Sequence, residues 1–220
     1  MSIFETLLGM PLFRGISKAK LEETVGNFKF EFKRFGPQDV VVKAGEQCRS
    51  LVFILSGSVR STLRLHGGLE ICYTLGANNV LCPEFLFGLD TTYPADIVAA
   101  EEVGTIEIDK LDLLKLIPTD SIFLLNAMNL LARKSQMIYD HSRTLIAPSA
   151  ISRLKAIVDF FTVPASERIE IKHPEMPVFE ALGVGEKEFF DYFKPLMEKG
   201  VIEFDGSSIL ISGRADFLRD

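Results

Sequence analysis

The sequence predicts an α+β chain: an N-terminal antiparallel sheet, closed or sandwiched as in barrels and jelly rolls, one long helix, and a small helix-rich C-terminal segment closed by a hairpin. Three observations carry this. Short β-rich runs punctuated by Gly, Pro and Asn recur roughly every ten residues from Phe28 to about Asp109. After Asp109 the apolar period becomes helical, with a seven-residue repeat over about Thr119 to Leu145. The last third then reads as an amphipathic helix followed by helix, tight turn, helix and hairpin.

Each element follows from its own pattern. Residues 1–27 form a short helical cap, with Leu7, Leu8, Leu12, Phe13, Ile16, Leu21 and Val25 as apolar positions and Gly9, Pro11 and Gly15 as breaks. FKFEFKRF alternates apolar and charged residues, the period of a half-buried strand. DVVVK, LVFILSG, SVRSTLRLHGG, LEICYTLG and VGTIEIDK supply further strands, with a denser stretch between Leu81 and Ala100. A short helix around Leu111, Leu113, Leu114, Leu116 and Ile117 stops before Pro118. In the long helix Leu124, Leu131, Ile138 and Leu145 recur every seven residues, flanked by Phe123, Leu130 and Met137. Such a stripe fits pairing with a second long helix, most simply in a parallel homodimer; the alternative is a helix buried against its own roll. Pro148 ends the helix and marks a hinge. ISRLKAIVDFFTV is one amphipathic helix, Gly183 sits at the C′ position of the next, Gly200 ends the last, and Asp205-Gly206 turns the hairpin VIEF/SILI.

Composition narrows the classes. The 220 residues carry 24 basic and 30 acidic side chains, a net charge of -6, with 47% hydrophobic and 25% charged residues. This is a globular composition, and its acidity argues against a protein that coats nucleic acid by bulk charge. Cys48, Cys72 and Cys82 form no CxxC pair, which excludes a disulfide framework or a zinc ribbon. No run of 18 apolar residues exists, and MSIFETLLGMPLFRG lacks a signal-peptide n-region and cleavage site. A soluble cytoplasmic protein with free thiols and no membrane partner is expected.

The segments LFRGISKAKLEET, VVKAGEQCRSLVFILSGSVR, YTLGANNVLCPE, ADIVAAEEVGTIEID and LGVGEKEFFDYFKPLMEKGVIEFDGSSILI resemble, in residues and spacing, the family of the cyclic-AMP receptor protein and the fumarate-nitrate regulator. The resemblance spans nearly the whole chain. It implies a cyclic-nucleotide-binding-like sensor β-roll over 1–117, a long dimerisation helix over 118–147 and a winged helix-turn-helix domain over 148–220. It further implies a cytoplasmic homodimeric transcription regulator that docks a helix in the major groove of operator DNA and meets RNA polymerase.

Two sites depart from the family pattern. Members that bind a cyclic nucleotide hold its phosphate on a cassette similar to F-G-E-L followed by R-x-A-T/S. Here those positions read Cys82-Pro83-Glu84 and Tyr93-Pro94-Ala95-Asp96. Glu84 matches the ribose carboxylate, but Pro83 cannot donate a backbone hydrogen bond, Tyr93 replaces the arginine, and Asp96 replaces the hydroxyl and repels a phosphate. A cyclic nucleotide is therefore not the expected ligand. Absence of any cysteine before Cys48 excludes the iron–sulfur cluster of the fumarate-nitrate branch. No cofactor is predicted; haem or a small organic effector stays as an alternative. For that alternative, Cys72, Cys82, His66, Phe85, Phe87 and Tyr93 are candidate pocket residues, and His66, His141, Met10 and Cys82 nominal axial ligands.

The second departure is in the recognition helix, where the family shows S-R-E-T-V-x-R. This chain has Gly185-Glu186-Lys187-Glu188-Phe189-Phe190-Asp191, then Lys194. Glu186 stands for the first Arg, Lys187 for the Glu, Glu188 for the hydroxyl and Asp191 for the second Arg. Pro195 predicts a kink or an early end one turn later. From Ile146 to Asp220 there are 9 basic and 13 acidic residues, so the expected DNA-binding segment is itself acidic. Phe189 and Phe193 are expected in the core; Phe190 or Tyr192 at the surface would suit a protein contact. The expectation is a regulator with an altered head, not driven by cyclic AMP. The alternative is a diverged dimer acting through protein contacts or an unidentified small ligand without specific DNA binding. No catalytic constellation is legible, and an enzyme is not expected.

Overall fold

A computed structural model of the chain describes residues 3–65, 67–142 and 149–219. Helices α1 (Ile3–Gly9) and α2 (Lys18–Asn27) flank a 3-10 turn at Pro11–Phe13. Strands β1 (Glu31–Phe35), β2 (Val40–Val42), β3 (Ser50–Ser56), β4 (Val59–Arg64), β5 (Glu70–Leu75), β6 (Val80–Leu81), β7 (Asp96–Ala99) and β8 (Val103–Asp109) follow. Then come α3 (Lys110–Leu116), α4 (Ser121–Ser142), α5 (Ala150–Phe161), β9 (Glu167–Lys172), α6 (Val178–Ala181), α7 (Glu186–Glu198), β10 (Ile202–Phe204), β11 (Ser208–Gly213) and α8 (Arg214–Arg219). Contacts divide the chain into two units, Met1–Val59 with Gly76–Gln136, and Arg60–Leu75 with Met137–Asp220. The units interleave in sequence, so neither coincides with a contiguous domain 1–117, 118–147 or 148–220.

In the N-terminal unit one antiparallel sheet has the order β1-β8-β3-β6, and β2 pairs with β7. Leu51, Val52, Phe53 and Ile54 of β3 are all buried, so this strand is covered on both faces and reads as a continuous apolar run. β1 corrects an expectation. Its alternation predicts one buried face, yet Glu31 to Arg34 are exposed throughout and Phe32 is 58% exposed. Alternation records only that a face could be covered; β1 is the edge strand of its sheet. The turn from β3 to β4 demands Gly57, whose φ is +75° and whose added Cβ would lie 2.2 Å from the Glu102 carbonyl oxygen.

Helices pack on this sheet through aromatic contacts. Phe13 is fully buried and meets Phe30, Phe53 and, edge-on at 5.7 Å, Phe123 of α4. The Asn126 side-chain amide donates to the carbonyls of Leu12 (3.0 Å) and Arg14 (2.8 Å), fastening α4 to the 3-10 turn. Asp109 caps α3 by accepting from the Leu111 amide at 2.7 Å. One face of α4 is thus internal, with Phe123 and Ala127 buried. The other presents Ile122, Leu124, Leu125 and Met128 to solvent, as α3 presents Leu111 and Leu114. Leu131 is half-buried. The Ile138 side chain and the whole of Leu145 lie outside the described residues, as does Pro148.

In the C-terminal unit strands run in the order β4-β5-β9-β11-β10. Helices α5, α7 and α8 cover one face, burying Leu154, Val158, Phe189, Phe193, Leu196 and Phe217 with Ile169, Ile171, Ile209 and Ile211. Reading the last third as helical plus one hairpin overlooks β9, although Ile169 and Ile171 alternate with Arg168, Glu170 and Lys172. Arg214 of α8 pairs with the Asp159 carboxylate and donates to Thr162 Oγ1 at 3.1 Å, tying α8 to the end of α5. Gly183 and Gly200 both adopt φ +70°, closing α6 and α7 as left-handed C-terminal residues. Contrary to the early end expected from Pro195, α7 continues through it to Glu198. Pro195 is exposed, where water can take the bond left by the missing N–H. Among the described residues no helix is long and apolar enough to cross a membrane.

Candidate functional site

The pocket cassette is built at the end of β6. Val52 pairs with Leu81 and Phe53 with Val80, after which Cys82 turns the chain with φ 43° and ψ 48°, a left-handed conformation at a non-glycine residue. Pro83 to Phe85 follow as a 3-10 turn. The Phe85 amide donates to the Cys82 carbonyl (3.1 Å) and the Leu86 amide to the Pro83 carbonyl (3.2 Å). These two N–H groups are engaged within the turn and are not presented to an anion. Cys82, Pro83 and Glu84 are half-buried.

Facing residues come from the segment before β7. Gln47 and Thr92 form an antiparallel bridge, the Tyr93 amide donates to the Glu46 carbonyl (2.8 Å), and the Cys48 amide to the Thr91 carbonyl (2.7 Å). This registers Tyr93 against Glu46 and Cys48 against Thr91, which sets the Tyr93 and Cys48 side chains diagonally across the bridge, within a hydrogen bond of each other. Tyr93 is 7% exposed. Burial first, then its hydroxyl's hydrogen bond to the Cys48 sulfur, push the Tyr93 phenol far above its ordinary range. Burial likewise raises the Cys48 thiol, which donates onward to the Ser50 carbonyl at 3.7 Å. The position expected to carry a guanidinium therefore holds a neutral, internally satisfied phenol. Ala95 is buried beside it. Asp96 Oδ1 accepts from the Ala44 amide at 3.0 Å, so this carboxylate fastens the chain leaving β2. Cys48 and Ala44 were not sequence candidates; their roles arise from pairing across more than 40 positions, which no local pattern announces.

His66 and the His141 side chain lie outside the described residues. Met10 is fully buried, and Cys72 is buried in β5 of the C-terminal unit, where its thiol meets Thr62 Oγ1 at 3.6 Å. A narrow apolar cleft in the N-terminal unit is lined by Leu12, Leu51, Leu86, Phe87, Leu113 and Leu131. Of the candidates for an effector pocket, Phe87 is on this lining, while Cys82 lies close enough to Tyr93 to act on its phenol. Lys110 Nζ lies 4.9 Å from the Phe87 ring centroid. Among the described residues no group of three or more His, Cys, Asp or Glu could hold a metal ion.

The candidate nucleic-acid interface belongs to the C-terminal unit. Leu182 and Val184 are buried around Gly183, setting the turn between α6 and α7. Gly185 is the N-cap of α7, and Glu186, Lys187, Glu188, Asp191 and Lys194 are all exposed. Phe189 and Phe193 point inward and stack at 4.5 Å. Phe190 and Tyr192 are each 40% exposed, with Phe190 edge-on to Phe204 of β10. In the wing turn Asp205 Oδ1 accepts from the Ser207 and Ser208 amides at 2.8 and 2.7 Å. These backbone bonds, with the two serine hydroxyls, hold its carboxyl far below the usual range.

Strands β1–β3 and β6–β8 bearing the cassette, the long helix α4, and the α6–α7 turn followed by the β10–β11 hairpin define one class of fold. Residues 32–120 match the family model described as "Cyclic nucleotide-binding domain". Among solved structures, the catabolite activator protein of Thermus thermophilus is similar at 19% identity, covering 94% of this chain and 96% of that one with a TM-score of 0.56. The c-di-GMP responsive global regulator CLP of Xanthomonas campestris is similar at 17% identity, covering 90% and 100%, TM-score 0.51. The sensor domain of the transcriptional regulator DNR of Pseudomonas aeruginosa is similar at 18%, covering 66% and 94%, TM-score 0.52. No curated protein sequence matches the chain. The chain has the fold of the cyclic-AMP receptor protein and fumarate-nitrate regulator family, with a cyclic-nucleotide-binding-like domain at its N-terminal end.

Proposed function

We propose that this protein is a homodimeric transcription regulator whose winged helix binds operator DNA through a diverged reading helix, and whose roll answers to something other than a cyclic nucleotide. One observation carries the reading: a structure covering 94% of this chain belongs to a catabolite activator protein, and α7 presents its N-terminal residues to solvent as a reading helix must. The exposed apolar face of α4 and α3 supports the homodimer. Lys187, Lys194 and Lys199 are the exposed cations of α7 and its C-terminal end, placed to meet phosphates or guanine. Binding of the purified dimer to its own upstream DNA across a salt series tests this. The expected result is a steep negative slope of log affinity against log salt. K187A and K194A should each reduce that slope by about one unit, since each removes one cation that neutralises a phosphate. No retention of any DNA at low salt would sink the reading.

A second reading, a dimer acting through protein contacts, is favoured by one feature: Phe190 and Tyr192 stand exposed beside Glu186, Glu188 and Asp191. It takes the place of the first if the salt series shows no binding.

The pocket makes its own prediction. Tyr93 fills the guanidinium position, Asp96 adds a negative charge, and the Phe85 and Leu86 amides are already engaged. Millimolar cyclic AMP should therefore leave the melting temperature unchanged. A ligand at a hundred times its dissociation constant would add about 2.7 kcal/mol, a rise of several degrees, and seeing one overturns the expectation.

A further inference from the structure

The hairpin of β4 and β5 is an insertion in the sequence of the N-terminal unit, whose chain leaves at Val59 and resumes at Gly76, yet Arg60–Leu75 belongs to the C-terminal unit. β5 runs antiparallel to β9 through Glu70↔Lys172, Ile71↔Ile171 and Cys72↔Glu170, while β11 pairs with β9 on its other edge. Ile71 is fully buried and Leu69 nearly so, in the same core that holds Ile169 and Ile171 of β9 and Phe189 and Phe193 of α7.

The tip of the hairpin is clasped by His173, which is 8% exposed. Its Nδ1 accepts from the Glu175 amide at 3.1 Å, which assigns the ring proton to Nε2, and Nε2 donates to the Gly67 carbonyl at 2.7 Å. The ring lies so close to Gly68 that an added Cβ there would stand 2.5 Å from Nε2, and Gly68 has φ +89°. A flap that opens and closes would show a solvated inner face and little buried apolar surface. This hairpin has a strand register, a clasp, and buried apolar side chains at Leu69, Ile71, Cys72 and Leu75.

We propose that the hairpin is an integral strand of the winged-helix unit, folding and loosening with it, and so gives the N-terminal chain a second covalent hold on the helix-turn-helix besides the run through α4. The proposal deepens the regulator reading and rests on it for its purpose. Its physical content is separate: the packing beneath α7 cannot rearrange without carrying residues 60–75 along.

Hydrogen–deuterium exchange on the full-length protein tests it without DNA, so a failure to bind DNA and a failure of this proposal are distinguishable. In Gly68→Ala the added methyl displaces His173. The amides of β5, β9 and α7 should then lose protection together, by about tenfold or more, while β3 and β8 keep theirs. Opening of β5 with β9 and α7 unchanged would overturn the proposal. Glu170→Cys, in a background with Cys48 and Cys82 changed to Ser, sets one thiol opposite native Cys72. Oxidation by diamide, which takes up the two hydrogens as the disulfide forms, should raise protection of α7 above that of the reduced form. Equal protection in the two forms would also overturn it.

Discussion

Replacing Phe189 by Ala should cost the C-terminal unit about 3–5 kcal/mol, the range for emptying a fully buried phenylalanine site. The side chain has no exposed surface, stacks on Phe193 at 4.5 Å and meets Phe204 at 4.9 Å and Phe179 at 5.8 Å. These partners come from α6, α7 and β10, so the cavity cannot collapse by moving one element. Thermal unfolding should shift down by about 10 °C or more, with exchange protection in β3 and β8 unaltered. Phe190→Ala is the internal contrast, since that ring is 40% exposed and should cost under about 1 kcal/mol. Equal losses in the two variants would show that the aromatic cluster is not centred on Phe189.

Changing Leu124 and Leu125 together to Glu should convert the proposed homodimer to monomer. Both leucines are exposed in the single chain, at 46% and 59%, so the variant should keep its own fold. In a two-fold pairing of α4 each becomes buried twice. Burial of a leucine contributes about 1.5–3 kcal/mol, and a glutamate in its place must be desolvated without a partner. A weakening of at least about 10⁴-fold is expected, read as mass by sedimentation equilibrium from nanomolar to micromolar concentration. A double variant with the mass of the parent dimer would place the interface elsewhere. The same measurement on Leu111→Glu reports whether the exposed apolar positions of α3 extend that interface.

Much of the architecture is legible because burial periodicity and turn chemistry are local. The run Leu51 to Ile54 announces a strand covered on both faces, Phe189 and Phe193 announce the inner stripe of α7, and Gly183, Gly200 and Asp205-Gly206 announce turns. The same logic misleads at β1. Phe28, Phe30 and Phe32 alternate like residues of one buried face, yet Phe32 is exposed because nothing among the described residues covers it. At β9 the signal, Ile169 and Ile171, is only two residues long and lies in a segment otherwise dominated by helical patterns.

At the candidate pocket, the loss of the family's arginine and of a donating amide can be read directly from Pro83 and Tyr93. What replaces them cannot. The phenol of Tyr93 is satisfied by Cys48, and Asp96 by the amide of Ala44, through pairings separated by more than 40 positions. An acid at a phosphate position can be a repulsive group or a structural clasp, and only its neighbours decide.

Sequence alone determined the order of β-rich segment, long helix and terminal helix, turn, helix and hairpin, the acidity of the segment that forms α7, and the presence of Tyr93 and Asp96 where the resembled family carries Arg and a hydroxyl. These are properties of residue type and short-range period. Tertiary structure alone decided that the hairpin Arg60–Leu75 belongs with the C-terminal core, that His173 clasps its tip, and that α4 keeps a second apolar face free of its own unit. The physical reason lies in the strand itself. Ile71 with alternate partners specifies a face to bury but not the sheet that buries it, and that choice is made by apolar surface brought together from Ile171, Phe189 and Val158, 87 to 118 positions away.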